Sequence, residues 1–206
     1  MKPEVCGLLL AGGQARRMGG GDKCLRLLNG VPLLERIIER ARPQVRRLVL
    51  NANGDPERFA GFGLPVEADR VTGFAGPLAG ILTGMEWARE QAPECAWLVS
   101  FATDAPFFPT DLVARLLEVQ RREEAEIVCA ASGGRDHPVF ALWPVSLAPA
   151  LRTAMIEEEI RKVDVFTARY RVARAEWPIE PFDPFFNANR PDDWVQAEKL
   201  VAAEVV

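Results

Sequence analysis

The chain has 206 residues, of which 49% are apolar, enough to bury one sizeable core, so residues 1–206 are expected to form a single domain. Its net charge is −4, and the basic residues gather in no long run or helical stripe, which argues against a general nucleic-acid surface. No stretch approaches the length of a membrane span, and Val5 to Ala11 is too short and glycine-interrupted for a signal-peptide core, so a cytoplasmic protein is expected.

Apolar runs bounded by turn residues alternate with helical patterns, the signature of a layered α/β fold. Val5 to Leu10 predicts the first strand. Leu33, Leu34, Ile37, Ile38 and Ala41 mark the inner face of a helix that ends before Pro43. Strands are expected at Arg47 to Asn51 and Leu64 to Glu67, with a short helical turn at Pro56 to Ala60 between them. Gly76-Pro77 opens a helix over Leu78 to Gln91, and Trp97 to Phe101 follows as a central strand. Pro109, Thr110 and Asp111 start a helix carrying Leu112, Val113, Leu116, Leu117 and Val119, and Ile127 to Ala131 and Val139 to Trp143 are strands. Helices are expected over Val145 to Met155 and Glu158 to Arg169, a late strand over Arg171 to Glu176, and a terminal helix over Asp192 to Val206.

Between the first strand and the first helix lies Leu10-Ala11-Gly12-Gly13-Gln14-Ala15-Arg16-Arg17-Met18-Gly19-Gly20-Gly21-Asp22-Lys23, long for a βα connection. Glycines let backbone N–H groups approach phosphate oxygens, and Arg16, Arg17 and Lys23 supply positive charge, so the segment suits a polyphosphate. It is not a Walker A loop: Asp22 precedes the lysine and Cys24 follows it, so the magnesium-holding hydroxyl is missing, and G-x-G-x-x-G is absent too. The alternative is a glycine-rich surface turn with solvated arginines.

Ligands of open α/β sheets collect beyond the carboxyl ends of the strands, and several polar groups fall there. Asp104, after the strand at Trp97 to Phe101, offers the hard oxygen that magnesium prefers, or closes an Asx-turn on its own backbone. Asn51 and Asn53 can hydrogen-bond a base or ribose or serve as turn residues, and the turn reading is favoured for Asn53. Asp69 either accepts from the N1–H and N2–H₂ edge of guanine or a ribose hydroxyl, or is a solvated turn carboxylate beside Arg70. Gly73 to Ile81 is a second small-residue loop running into a helix N-terminus, suited to negative charge or to close helix packing. The lone histidine, His137, has no evident nucleophile partner and is read as structural or substrate-contacting. Cys6, Cys24, Cys95 and Cys129 form no C-x-x-C pair and are expected to be reduced, mostly buried thiols without chemistry, Cys24 included.

Taken in order, Leu10-Ala11-Gly12-Gly13, Arg17-Met18-Gly19-Gly20, Asp22-Lys23, Asn29-Gly30-Val31-Pro32-Leu33, Asn51-Ala52-Asn53, Gly76-Pro77-Leu78-Ala79-Gly80, Asp104-Ala105-Pro106-Phe107, Arg135-Asp136-His137-Pro138-Val139 and Phe186-Asn187-Ala188-Asn189-Arg190-Pro191 give the chain a pattern that resembles the molybdenum cofactor guanylyltransferases, within the nucleotidyltransferase superfamily. The resemblance implies a three-layer α/β/α Rossmann-like fold with a mostly parallel mixed sheet. It implies transfer of GMP from GTP to the phosphate of molybdenum-loaded molybdopterin, with Mg²⁺ as cofactor and release of pyrophosphate. Nucleotide-binding positions would be Leu10, Ala11, Gly12, Gly13, Lys23, Asn51, Asp69 and Asp104. Asp104 would hold the metal, Lys23 and Arg17 would stabilise charge on the phosphates, and Asn187 and Asn189 would line the acceptor side or complete the metal shell. Transient contacts with cofactor-biosynthesis proteins and recipient molybdoenzymes are implied as well. A molybdopterin cytidylyltransferase or a sugar-phosphate nucleotidyltransferase would share the loop, lysine and aspartate, and a non-catalytic cofactor carrier or nucleotide sensor would bind without turnover.

Overall fold

In the computed structural model the described residues are 3–11, 22–73 and 76–203. Seven strands form one sheet in the order β5-β4-β1-β6-β8-β7-β9, where β1 is Val5–Leu10, β4 Arg47–Asn51, β5 Val66–Glu67, β6 Trp97–Ala102, β7 Ile127–Ser132, β8 Arg135–Pro144 and β9 Val172–Trp177. Six of them run parallel, and β8 alone is reversed, antiparallel to both β6 and β7. The reversal follows from the two-residue turn Gly133–Gly134, both with positive φ (54° and 75°), which returns the chain as a hairpin. A short ribbon of β2 (Leu27–Leu28) and β3 (Val31–Pro32) lies outside this sheet.

β1 is buried along almost its whole length because helices cover both faces, as a parallel strand requires. Val5 and Leu9 point to one core, shared with α1 (Leu33–Ala41), α3 (Leu112–Glu123) and α6 (Pro191–Ala202). Cys6 and Leu8 point to the other, shared with α2 (Pro77–Gln91), α4 (Ala148–Ile156) and α5 (Val163–Thr167). The architecture is thus the expected three-layer α/β/α fold with a mixed, mostly parallel sheet. Among the described residues no helix is long and apolar enough to cross a membrane.

Most elements fall where the periodicity places them, with three differences. The helix expected over Glu158 to Arg169 shrinks to α5. Glu157, Glu158 and Glu159 follow the C-terminus of α4, where carboxylates oppose the helix dipole, and Glu159 turns left-handed (φ 54°) so that Ile160 can enter the core. The strand expected from Leu64 contracts to β5. The β2–β3 ribbon was not expected, although its turn is Asn29–Gly30, both with positive φ (50° and 76°), a strong hairpin signal. Gly12, Gly13, Arg16 and Arg17 of the glycine-rich segment, Phe74 and Ala75 of the second small-residue loop, and the last three positions of the expected terminal helix lie outside the described residues.

Candidate active site

β4, β1 and β6 end flush: Leu10 is in register with Asn51 on one side and with Ala102 on the other. The Ala11 N–H donates to the Asn51 carbonyl (2.9 Å), and the Thr103 hydroxyl donates to the Leu10 carbonyl (2.8 Å). The chain therefore leaves β1 with Asn51 on one flank and Asp104 on the other. Neighbouring strands are about 4.8 Å apart, so these flanks, one strand to either side of β1, stand about 10 Å apart.

On the β6 flank, Lys23 reaches both Asp104 Oδ2 (3.4 Å) and Asn189 Oδ1 (2.5 Å) through its Nζ. Three restraints bring them together. Lys23 opens a one-turn helix that feeds the β2–β3 ribbon, and this ribbon is tied to α6 by Asn29 donating to the Glu198 carbonyl (3.2 Å) and by Arg26 lying over the Trp194 ring (5.2 Å). Asp193 accepts from the backbone N–H groups of Asn189 (2.8 Å) and Arg190 (2.7 Å), which fixes the start of α6. The Ala188 N–H donates to the Asp104 carbonyl (2.9 Å). Burial holds the Lys23 pKa below its ordinary value, and Asp104 works against that shift by favouring the ammonium. The Asp104 carboxylate faces Lys23 rather than the N–H groups of its own turn, so the Asx-turn alternative does not describe it. Among the described residues, Asn187 Oδ1, in the same turn as Asn189, is buried without a hydrogen-bond partner.

On the β4 flank, Asn51 Nδ2 donates to Asp69 Oδ1 (2.9 Å) and to the Glu67 carbonyl (3.1 Å). Asn53 grips Asp69 twice: its Nδ2 donates to Oδ2 (2.7 Å) and its Oδ1 accepts from the Asp69 N–H (2.8 Å). Asn53 is therefore a partner of Asp69 and not the local turn residue its neighbours suggest. Nor does Asp69 stand as a free carboxylate beside Arg70, since Arg70 pairs instead with Glu67, Glu86 and Glu90. α2 closes this flank from behind, and Gly80 permits the approach: a Cβ there would run into Asn51 Oδ1 and a Leu10 methyl.

Residues 7–171 match the family model described as the MobA-like NTP transferase domain. A molybdenum cofactor guanylyltransferase of Rhodopseudomonas palustris is 56% identical over 198 residues, spanning 96% of this chain and 94% of that protein. The chain belongs to the molybdenum cofactor guanylyltransferase family. The crystal structure of the molybdopterin-guanine dinucleotide biosynthesis protein A of Archaeoglobus fulgidus superposes with a TM-score of 0.72 at 25% identity, covering 96% of this chain and 99% of that one. A Mycobacterium tuberculosis protein solved in complex with manganese shares the fold (TM-score 0.67, 15% identity, 96% and 99% covered).

Two features of this guanylyltransferase-family chain carry no signal in its sequence. His137 does have a serine beside it: Ser132 Oγ lies 2.7 Å from His137 Nε2 and 2.8 Å from Asp183 Oδ1. The order is wrong for a nucleophile, because the serine sits between the histidine and the carboxylate and spends its one proton on Asp183, so His137 Nε2–H donates to it. With the His137 ring stacked on Phe185 (4.5 Å), the group latches the segment before Asn187 to the β7–β8 hairpin, which favours the structural reading of His137. As expected, Cys24 takes no part in the chemistry: beside Lys23 it is buried and its thiol is pushed up to about 12, so it is no thiolate at neutral pH, and all four cysteines are free and buried. Arg58 and Asp22 form an ion pair between the two flanks, which no local pattern announced.

Proposed function

We propose that the chain transfers GMP from GTP to the phosphate of molybdenum-loaded molybdopterin, forming molybdopterin guanine dinucleotide and releasing pyrophosphate. The observation that carries this reading is the convergence of Lys23, Asp104 and Asn189 at one end of the sheet, across the first strand from the Asn51–Asn53–Asp69 cluster. An oxygen of the acceptor phosphate bonds to the α-phosphorus of GTP while the bond to the α–β bridging oxygen breaks, and the electron pair leaves with pyrophosphate. No covalent intermediate is needed, and the residues act by alignment and charge neutralisation.

Each role is part of the same proposal. Asp69 accepts from guanine N1–H and N2–H₂: each of its oxygens already takes one amide N–H, which fixes the carboxylate plane and leaves a lone pair outward. Cytosine offers no such pair of adjacent donors. Leu10, Ala11, Gly12 and Gly13 bring backbone to the nucleotide, and Lys23 with Arg17 neutralises charge on the α-phosphate and the departing pyrophosphate. Gly12, Gly13 and Arg17 take these roles from their place in the sequence pattern.

The donor set suits Mg²⁺. A single cation, the Lys23 ammonium, already bridges oxygens of Asp104 and Asn189, and in the same turn Asn187 Oδ1 is buried with no hydrogen-bond partner among the described residues. One carboxylate with neutral amide oxygens is the sparse set that leaves the ion's other positions to water and phosphate oxygens. Asp104 would hold the ion, assisted by Asn187 and Asn189, and the ion would supply charge neutralisation at the triphosphate. Four free thiols suit a reducing, cytoplasmic setting, where the enzyme meets cofactor-biosynthesis proteins and recipient molybdoenzymes transiently.

Pyrophosphate release in the presence of molybdenum-loaded molybdopterin, measured with GTP and with CTP, tests the proposal. Release with GTP well above that with CTP is expected. Preference for CTP, or nucleotide binding without turnover, would refute it.

A further inference from the structure

Arg58 lies between the two flanks of the site and touches both. Its Nε donates to the Asp22 carboxylate, its Nη2 to the Asn53 carbonyl (2.5 Å), and its Nη1 to the Asp55 carbonyl. The guanidinium sits over the ring of Phe59, its centre 4.5 Å from the ring centroid, and Phe59 is fully buried. Gly54, at φ 88°, makes room for it: a Cβ there would come within 3.3 Å of Nη1. A surface ion pair would need the Asp22 contact alone; three acceptors in three directions, with a buried ring beneath, hold the planar fork in one orientation.

The acceptors decide what that orientation does. Asp22 immediately precedes Lys23, and its carbonyl accepts the Leu25 N–H (3.1 Å) that closes the turn presenting the ammonium. Asn53 is the residue that grips Asp69 at two points. We propose that Arg58 is a positioning residue that couples the base-reading cluster to the phosphate-facing lysine, so that a correctly seated guanine and a correctly placed Lys23 favour each other. This rests on the guanylyl-transfer reading, because it takes Asp69 as the base acceptor and Lys23 as the phosphate cation. In this role Arg58 acts through Asp22 and Asn53, whose atoms take up its guanidinium. A lysine at this position would keep the charge but lose the fork, and could satisfy Asp22 or the carbonyls, not both sets.

The test is steady-state transfer to molybdenum-loaded molybdopterin with GTP and with ITP, which lacks the 2-amino group, for the native enzyme and for Arg58→Met, Arg58→Lys and Asp22→Asn, with a melting curve for each. Arg58→Met is expected to lower kcat with GTP by about tenfold to a hundredfold, the scale of a small misplacement of a catalytic group, and to narrow the GTP-over-ITP ratio of kcat/KM. Asp22→Asn cuts the lysine-side arm, so kcat falls and, with the link broken at that end, the GTP-over-ITP ratio narrows as well. Arg58→Lys recovers one of the two losses. A role confined to stability would lower the melting temperature and leave the ratio alone, and that result, or a kcat and ratio within about twofold of native, overturns the coupling. Should Arg58→Met fail to fold, native values of both quantities in Arg58→Lys and Asp22→Asn overturn it equally. Failure of the native enzyme to prefer GTP over ITP and CTP instead refutes the guanylyl reading, and shows before any variant is compared.

Discussion

Replacing Gly80 with alanine isolates how the base-side flank is built. In an ordinary helix interior this change adds about 1 kcal/mol of stability through lower backbone entropy in the unfolded chain. Here the added methyl would occupy space held by Asn51 Oδ1 and a Leu10 methyl. Overpacking of this kind costs about 2 kcal/mol. Asn51 is 3% exposed and has nowhere to turn without releasing its bond to the Asp69 carboxylate (2.9 Å), a charge-assisted bond contributing about 2 kcal/mol. The net is a loss of about 3 kcal/mol, which for a chain of this size lowers Tm by about 9 °C. Gly84, one turn further along α2, supplies the control. A Cβ there would come within 2.8 Å of Leu8, an aliphatic side chain remote from the cluster, so Gly84→Ala should cost about 1 kcal/mol net and leave GTP binding alone. Scanning calorimetry with and without GTP, together with KM for GTP, reads both effects. For Gly80→Ala, KM should rise about tenfold, equivalent to 1.4 kcal/mol, through loss of the Asn51 support under Asp69. A Gly80→Ala protein with unchanged or higher Tm would refute the packing argument, and equal KM in the two variants would refute the claim that Gly80 serves the base cluster.

Asp104→Ala should abolish metal-dependent transfer with the fold intact, because the carboxylate is about a third exposed (32%) and, among the described residues, its side chain bonds only Lys23; circular dichroism and pyrophosphate release check the two halves, and surviving activity would rule out Asp104 as the metal anchor. Lys23→Ala should reduce kcat at saturating GTP by about a hundredfold, the scale seen when one preorganised charge-stabilising donor is removed, and an unchanged kcat counts against its role. His137 contributes a pH dependence of stability. Burial holds its pKa below the ordinary value; Arg135 acts in the same direction, and Asp183, Asp136 and Glu176 against it. The unfolded chain therefore binds the proton first, so stability is full above the unfolded value of about 6.5 and falls as pH drops through it toward the folded value. Tm of His137→Gln should decline less between pH 7 and pH 5 than that of the native protein, and parallel curves would contradict this.

How much was legible in advance varied with the range of the interaction. Strand and helix positions were readable because burial imposes local periods: alternate residues of β1 feed two cores, and Leu33, Leu34, Ile37, Ile38 and Ala41 recur on one helical face. The chemical inventory was readable too, since glycines after a strand, a following lysine and an aspartate after a central strand bear on phosphate and metal whatever surrounds them. The helix expected after Glu158 failed because Ile160 is drawn into the core, a demand from outside the segment. Asn53 departs from its local pattern for a related reason: its Gly54-Asp55-Pro56 neighbourhood does form a turn, with Asp55 capping it, but the Asn53 side chain is committed to Asp69, sixteen positions away.

Local order along the chain, then, settled the layered fold, the strand ends that could bear ligands, and the residue types available there. Assembly settled who meets whom. Lys23 finds Asn189 across 166 positions only because Asn29, Arg26 and Asp193 fasten the β2–β3 ribbon and the α6 cap together, and Arg58 finds Asp22 only because Phe59 is buried beneath it. Side-chain pairing of this kind depends on distances set by packing, and distance in space is a quantity that neighbouring residues in a sequence do not encode.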